Sequence, residues 1–133
     1  MDKAIVWIED NDHIVRSLVE PLEDSGYTIT CLRSVEEALN NLELIRKSDL
    51  ILLDIILPSG NPEKPYSRYA GIQLLRELRE THHIANPVVV LSIVISPEIH
   101  QEALDLGVKD FVTRPVWPSE LKERVLKVVE AQR

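Results

Sequence analysis

The sequence predicts an α/β fold, a doubly wound parallel sheet of five strands with five helices packed on its two faces. Three observations lead to this prediction. Continuous apolar runs alternate along the chain with segments in which apolar residues recur at helical spacing. The apolar runs are not interleaved with polar residues, which is typical of strands buried on both faces. The chain has 133 residues, 44% of them hydrophobic, which is enough for one domain with its own core.

The first strand–helix unit ends at Gly26. Ala4–Ile8 is a continuous apolar run and predicts a strand. The helix after it is predicted from apolar residues three and four positions apart, namely Ile14, Val15, Leu18, Val19 and Leu22. Asn11 or Asp12 is its predicted N-cap, and Gly26 is its predicted stop. Pro21 conflicts with an unbroken helix at this point, at a cost of about 3 kcal/mol unless the helix kinks.

The second unit has a clear helix start. Tyr27–Leu32 predicts the second strand, and Ser34 with Glu37 has the spacing of a capping box that opens a helix. The buried face of this helix is predicted to be Val35, Ala38, Leu39, Leu42 and Ile45. Leu50–Leu53 is the third strand and leads directly into Asp54.

The remaining elements repeat the same alternation. A third helix is predicted from Ile72, Leu74, Leu75 and Leu78. Val88–Leu91 is the fourth strand and ends at Ser92, after which Ser96 and a following proline open a short helix that Gly107 closes. Lys109–Thr113 is the fifth strand. The closing helix is predicted from Leu121, Val125, Val128 and Val129.

Composition narrows the function classes. Fifteen Lys and Arg residues against 22 Asp and Glu residues give a net charge of −7, which argues against general nucleic-acid binding. A single cysteine, Cys31, excludes an internal disulfide framework and a zinc site built from several thiolates. The longest apolar stretch, Val88–Ile95, is too short to span a bilayer, and the N-terminus has no export signal. With no repeat or linker, we expect one cytoplasmic domain over residues 1–133.

Polar residues follow the strands at one edge of the predicted sheet. They are Glu9 and Asp10 after the first strand, Asp54 after the third, Ser92 at the end of the fourth and Arg114 after the fifth. Because sites in such sheets form at the carboxyl ends of the strands, these side chains are expected to converge. Three close carboxylates raise one another's pKa unless a cation lies among them, and oxygen ligands suit Mg²⁺. A carboxylate beside Mg²⁺ and a fixed cation is well placed to attack phosphorus.

This arrangement closely resembles the receiver domain of two-component response regulators, over the whole chain. The matching positions are the acidic pair Glu9 and Asp10, the phosphoacceptor Asp54 with Pro58 after it, the strand-four hydroxyl Ser92, the strand-five aromatic Phe111, and Arg114–Pro115 in place of a Lys-Pro pair. The resemblance implies a flavodoxin-like sheet of strand order 2-1-3-4-5 with five helices. It also implies a signalling module that catalyses at most its own phosphotransfer and dephosphorylation, rather than an enzyme.

The resemblance also implies a role for each site residue. Asp54 would take a phosphoryl group, Asp10 would bind Mg²⁺ directly, Glu9 would act mostly through water, and the backbone carbonyl of Ile56 would add a ligand. Ser92 would then hydrogen-bond the phosphoryl group, Phe111 would rotate into the vacated space, and Arg114 would stabilise the phosphate.

The resemblance further implies partners. They are a sensor histidine kinase or phosphotransfer protein, and a downstream effector protein or fused output domain. A homodimer is possible, whereas direct nucleic-acid or membrane binding by this domain is not expected.

Four features depart from the family pattern. Arg114 replaces lysine, and Ile93 stands where a small residue is usual beside the site. In the family, the positions of Ile56 and Val94 flank the route of the water that hydrolyses the acyl phosphate. Neither of these apolar side chains can orient that water. Gly71 lies 17 residues past Asp54 where the family has eight, so the loop after the third strand is nine residues longer (17 − 8).

Two other functions therefore stay open. The first is a pseudo-receiver that binds proteins without phosphorylation, which Arg114, Ile93 and the long loop favour. The second is a hydrolase of the haloacid-dehalogenase type, for which Asp10-Asn11-Asp12 has the Asp-x-Asp form. The first aspartate of that motif already fits the metal role, and no cap domain is present in this sequence.

Overall fold

A computed structural model of the chain describes residues 3–64, 66–94 and 96–132. Five parallel strands form one sheet in the order β2-β1-β3-β4-β5, as predicted. The strands are β1 (Lys3–Ile8), β2 (Tyr27–Leu32), β3 (Leu50–Leu53), β4 (Val88–Ser92) and β5 (Asp110–Thr113). The predicted doubly wound α/β fold is therefore confirmed.

The described part of the chain contains seven α-helices and one π-helical segment, where five helices were predicted. The α-helices are α1 (Asp12–Leu18), α2 (Glu20–Asp24), α3 (Val35–Leu39), α4 (Leu42–Lys47), α5 (Ala70–Arg76), α6 (Pro97–Asp105) and α7 (Pro118–Ala131), and the π-helical segment is Glu77–Thr81. No helix within residues 3–64, 66–94 and 96–132 has the length and apolar character needed to cross a membrane.

Two of the predicted helices are each divided in two, for local reasons. The first is interrupted at Val19, and Pro21 then lies in the first turn of α2, where its missing N–H needs no intrahelical partner. The second is interrupted at Asn40 and Asn41, and the Asn41 side chain donates to the Glu37 carbonyl at 2.7 Å. Asparagine side chains compete in this way with helical backbone bonds. Each break leaves the apolar face directed at the sheet, so the fold is unchanged.

The sheet has an apolar layer on each face. One layer contains Val6, Ile8, Ile51, Leu53 and Val90 from the strands, and α3, α4, α5 and α6 cover it. The other contains Ile5, Trp7, Leu52, Val89 and Val112, and α1, α2 and α7 cover it. Consecutive strand residues alternate between the two layers, which explains why the strands read as unbroken apolar runs.

Strand register places the polar strand ends side by side. Ile8 pairs with Leu53 and Ser92 pairs with Thr113, so the next residues along β1, β3 and β5 meet at one edge. Backbone bonds fix these residues. The N–H of Asp54 donates to the Ile8 carbonyl at 3.0 Å, and the N–H of Arg114 donates to the Ser92 carbonyl at 3.0 Å.

Candidate functional site

Three carboxylates meet at the carboxyl edge of the sheet. Glu9, Asp10 and Asp54 each bring one carboxylate oxygen into a group whose members all lie within 4.8 Å of one another. Glu9 and Asp54 are buried, whereas Asp10 is exposed. The cluster therefore opens to solvent on the Asp10 side, and its oxygens could hold a hard cation such as Mg²⁺.

Arg114 lies against the two buried carboxylates. Its Nη1 is 3.6 Å from Glu9 Oε1, and its Nη2 is 3.6 Å from Asp54 Oδ2. The side chain is 13% exposed, and the peptide bond between Arg114 and Pro115 is cis. The guanidinium spans Glu9 and Asp54.

The hydrogen bonding of this group is incomplete. Glu9 Oε1 and Arg114 Nε are buried without a hydrogen-bond partner among residues 3–64, 66–94 and 96–132. The other Glu9 oxygen accepts from the backbone N–H of Asn11 at 3.2 Å. An unpaired buried carboxylate oxygen is costly, and a bound cation or water would satisfy it. The donor set therefore fits a metal ion.

Burial and crowding change the acidity of the two buried carboxylates. Burial, followed by the negative charge of Asp54, raises the pKa of Glu9 from 4.5 to about 8, although the Asn11 N–H and the Arg114 guanidinium oppose this. Burial also raises the pKa of Asp54 above its usual 3.8. Arg114, the Ser92 hydroxyl and the Ile56 N–H act against burial at Asp54 by stabilising its ionised form. Without a metal, burial and the mutual repulsion of the two carboxylates therefore favour a proton on the pair at neutral pH.

The loops beside Asp54 carry two of the family departures. The N–H of Ile56 donates to Asp54 Oδ1 at 3.4 Å, and the N–H of Val94 donates to the hydroxyl of the fully buried Ser92 at 3.3 Å. Val94 is buried and Ile56 is half-buried, and both belong to the apolar layer that α3 to α6 cover. Ile93 is 60% exposed and lies on the surface rather than inside the cluster. The expected role of the Ile56 carbonyl stays a prediction.

Gly71 contacts the backbone just after β3, at Asp54 and Ile55. Its N–H donates to the Ile55 carbonyl at 2.8 Å. A Cβ at this position would collide with the Asp54 carbonyl oxygen and come within 2.7 Å of Ile55 Cα. A side chain therefore cannot be accommodated where α5 approaches Asp54.

The long loop after β3 is hydrogen-bonded to α3 near its beginning and to α5 and the π-helical segment near its end. The carbonyls of Pro58 and Ser59 accept from the first two N–H groups of α3, those of Val35 and Glu36, at 3.1 and 2.9 Å. On the other side, the Tyr66 hydroxyl donates to Glu77 at 3.2 Å, and Ser67 donates to the side chain of Gln73 from both its N–H and its hydroxyl. Pro65, which belongs to this lengthened loop, lies outside the described residues.

Phe111 has a neighbour that sequence reasoning missed. The Phe111 ring is half-buried on β5, and the ring of His100 from α6 stacks on it, with centroids 4.6 Å apart and planes 12° apart. His100 itself is exposed. An exposed residue has no hydrophobic periodicity to mark it, so no signal in the sequence points to this contact.

Comparisons with known proteins agree on one family. The family model described as the response regulator receiver domain matches residues 5–126. The alkaline phosphatase synthesis transcriptional regulatory protein PhoP of Bacillus subtilis is 32% identical over 129 residues, which are 97% of this chain and 49% of that protein. The chain thus spans about half the length of the curated relatives that it matches.

Solved structures share the fold. A two-component response regulator from Clostridium difficile has a TM-score of 0.82 at 23% identity, with 99% of both chains covered. The receiver domain of DrrB activated by BeF3 has a TM-score of 0.76 at 25% identity, with 98% of this chain and 99% of that chain covered.

Proposed function

This chain belongs to the response regulator receiver domain family, and from that premise we propose that it accepts a phosphoryl group on Asp54 and thereby switches a partner-binding surface. One observation carries the proposal. Asp54 is buried at a strand end, within 4.8 Å of two further carboxylates and 3.6 Å from a guanidinium nitrogen. Such a group of fixed charges suits the transfer of a phosphoryl group, whose charge must be neutralised in the transition state.

The transfer itself needs little from the protein besides position and charge. An oxygen of the ionised Asp54 forms a bond to phosphorus as the bond from phosphorus to the donor's nitrogen or oxygen breaks. The leaving group departs with that electron pair. Arg114 stabilises negative charge on the transferring group, and Ser92, whose hydroxyl is at the adjacent strand end, offers a hydrogen bond to the acyl phosphate formed.

Mg²⁺ is the cofactor proposed for this site. Asp10 and Asp54 would hold it directly, Glu9 would hold it through water, and the carbonyl of Ile56 is the proposed backbone ligand. The buried Glu9 Oε1 supports this set, since it has no hydrogen-bond partner among the described residues and its contact with Arg114 is 3.6 Å long. When bound, the ion supplies positive charge to the equatorial oxygens of the phosphoryl group.

Incubation with a small acyl phosphate and Mg²⁺, followed by intact-mass measurement, tests the phosphoacceptor. The expected result is a mass increase of one phosphoryl group that disappears in Asp54→Asn. Asp49→Asn is a control, because Asp49 lies away from the cluster and accepts from the Ala4 N–H at 2.8 Å. An adduct mapped to Ser92 or to another carboxylate contradicts the assignment.

Metal titration tests the cofactor separately from phosphorylation. Mg²⁺ is expected to bind the free protein weakly, and Asp10→Asn is expected to abolish most of that binding because it removes the solvent-facing carboxylate of the cluster. Asp12→Asn is a suitable control, since Asp12 is next to the cluster in sequence but is paired with Arg33. Equal affinity in wild type and Asp10→Asn would show that the proposed metal site is wrong.

The second candidate function is a pseudo-receiver that binds a protein partner without phosphorylation. The contacts of Arg114 with Glu9 and Asp54 favour it, because a cation already neutralises part of the cluster. The intact set of Glu9, Asp10, Asp54 and Ser92 favours the first function. The mass experiment separates the two, since a pseudo-receiver forms no Asp54 adduct.

The proposed partners follow from the family. A sensor histidine kinase or a phosphotransfer protein would supply the phosphoryl group, in the cytoplasm. A downstream effector or a fused output domain would read the switch, as the lengths and names of the curated relatives suggest, several of which are transcriptional regulatory proteins. On this proposal the domain is not an enzyme acting on other substrates.

A further inference from the structure

His100 makes an aromatic contact that the proposed phosphorylation chemistry does not use. It lies on the exposed face of α6, and its ring stacks nearly parallel on the Phe111 ring at a centroid distance of 4.6 Å. Stacked aromatic pairs stabilise a particular arrangement of both rings beyond the effect of burial alone. The contact therefore favours the half-buried orientation of Phe111 that the structure describes.

Phe111 is connected to the acidic cluster through the sheet. It pairs with Val90 on β4, and two residues further along the same strands Ser92 pairs with Thr113. On its own face of the sheet, Phe111 packs at the margin of the apolar layer, as do Ile99 of α6 and Leu106 just after that helix. A turn of the Phe111 ring away from α6 would separate it from the His100 ring, which stacks on it.

The helix that carries His100 is itself held in place. Arg76 of α5 forms an ion pair with Glu102 of α6, and Arg79 donates from Nε to the Leu106 carbonyl at 2.9 Å. Arg79 also donates to the carbonyls of Ile84 and Asn86, so it joins the end of α6 to the segment before β4. These bonds keep α6 from following a ring that moves, so the stack breaks when Phe111 turns.

We propose that His100 is a positioning residue that holds Phe111 in its half-buried orientation and so sets how much phosphorylation is needed to turn the switch. This inference rests on the proposed function for the meaning of the switch, although the stack itself is independent of it. A stacked pair of this kind biases a two-state equilibrium by about two- to tenfold. Loss of the His100 ring is expected to raise the population of the alternative Phe111 orientation by that factor.

The composition of the chain allows a direct measurement. Phe111 is the only phenylalanine, so incorporation of 4-fluorophenylalanine gives a fluorine resonance from this ring alone. Saturation-transfer and relaxation-dispersion measurements on the unphosphorylated protein then give the population of the second orientation. The variants are His100→Ala, which removes the ring, and His100→Tyr, which restores a stacking ring. Gln101→Ala is the matched control, since its exposed side chain bonds Asp105 on the same helix.

The expected result is a two- to tenfold larger second population in His100→Ala, with His100→Tyr and Gln101→Ala close to wild type. Less beryllofluoride with Mg²⁺, a mimic of the phosphoryl group, should then be needed to half-convert His100→Ala. Equal populations in wild type and His100→Ala, including no detectable second state in both, would overturn the proposal. If no variant forms an Asp54 adduct, the proposed function fails, but the unphosphorylated proteins still decide the role of His100.

Discussion

The buried proton on Glu9 predicts a specific dependence of stability on pH. In the metal-free folded protein the pKa of Glu9 is about 8, whereas in the unfolded chain it returns to about 4.5. Between these values the folded chain binds more protons than the unfolded chain, so the free energy of unfolding falls as the pH rises. The interval of about 3.5 pH units, at about 1.4 kcal/mol for each, sets a ceiling of about 5 kcal/mol on this loss.

Glu9→Gln is the perturbation that isolates this effect. Glutamine resembles the protonated glutamic acid, and its side-chain oxygen can still accept from the Asn11 N–H, which is 3.2 Å from Glu9 Oε2 in the structure. The variant is therefore expected to match wild type near pH 5 and to exceed it in stability by several kcal/mol at pH 8.5, where Glu9 is ionised.

Urea unfolding across pH 5 to 9, in the presence of a chelator, measures both proteins. Glu43→Gln makes the same chemical change on an exposed side chain that pairs with Arg46, and it is expected to stay within about 0.5 kcal/mol of wild type. If Glu9→Gln and wild type lose stability in parallel as the pH rises, the buried proton is not on Glu9 and the reasoning is refuted.

Three further predictions concern the surroundings of Asp54. Arg114→Lys is expected to enlarge the spectral response of Ser92 and Phe111 to beryllofluoride, because lysine lacks the fork that spans two carboxylates; an unchanged or smaller response would show that arginine already performs the lysine's role. Gly71→Ala is expected to destabilise the protein by about 2 to 4 kcal/mol in urea unfolding, since its Cβ would collide with the Asp54 carbonyl oxygen; a loss below about 0.5 kcal/mol would contradict that collision. The acyl phosphate on Asp54 is expected to be long-lived, and Ile56→Asn is expected to shorten its lifetime by offering a polar group to the attacking water; equal lifetimes by intact mass would argue against this role.

Much of the fold follows from hydrophobic patterning alone. Each apolar run became a strand because burial on both faces leaves no polar position within it, and the strand ends then fixed where the acidic residues meet. The helix breaks at Val19 and Asn40 were harder to foresee, because the apolar face continues through both. They depend on single side chains, a proline ring near Val19 and the Asn41 amide bonded to the Glu37 carbonyl, and not on the pattern.

The site was predictable to the extent that strand ends determine it. Glu9, Asp10 and Asp54 come together because they follow β1 and β3, which are register partners. The side-chain partners were not predictable in the same way. The resemblance gave Arg114 a role at the phosphate, but no pattern in the sequence indicated that its guanidinium spans Glu9 and Asp54. Such a choice depends on side-chain reach across a cluster only a few ångströms wide.

The lengthened loop after β3 has a consequence for how insertions accumulate at such a site. The entropy lost in closing a loop grows only slowly with the number of residues between its fixed points. Here the fixed points Ser59 and Tyr66 are close in sequence. The carbonyls of Pro58 and Ser59 are bound to α3, and the side chains of Tyr66 and Gln73 bind the loop to the segment that follows it. The nine additional residues are thus divided into short spans. Surface can therefore be added beside the acidic cluster while Glu9, Asp10 and Asp54 keep their positions.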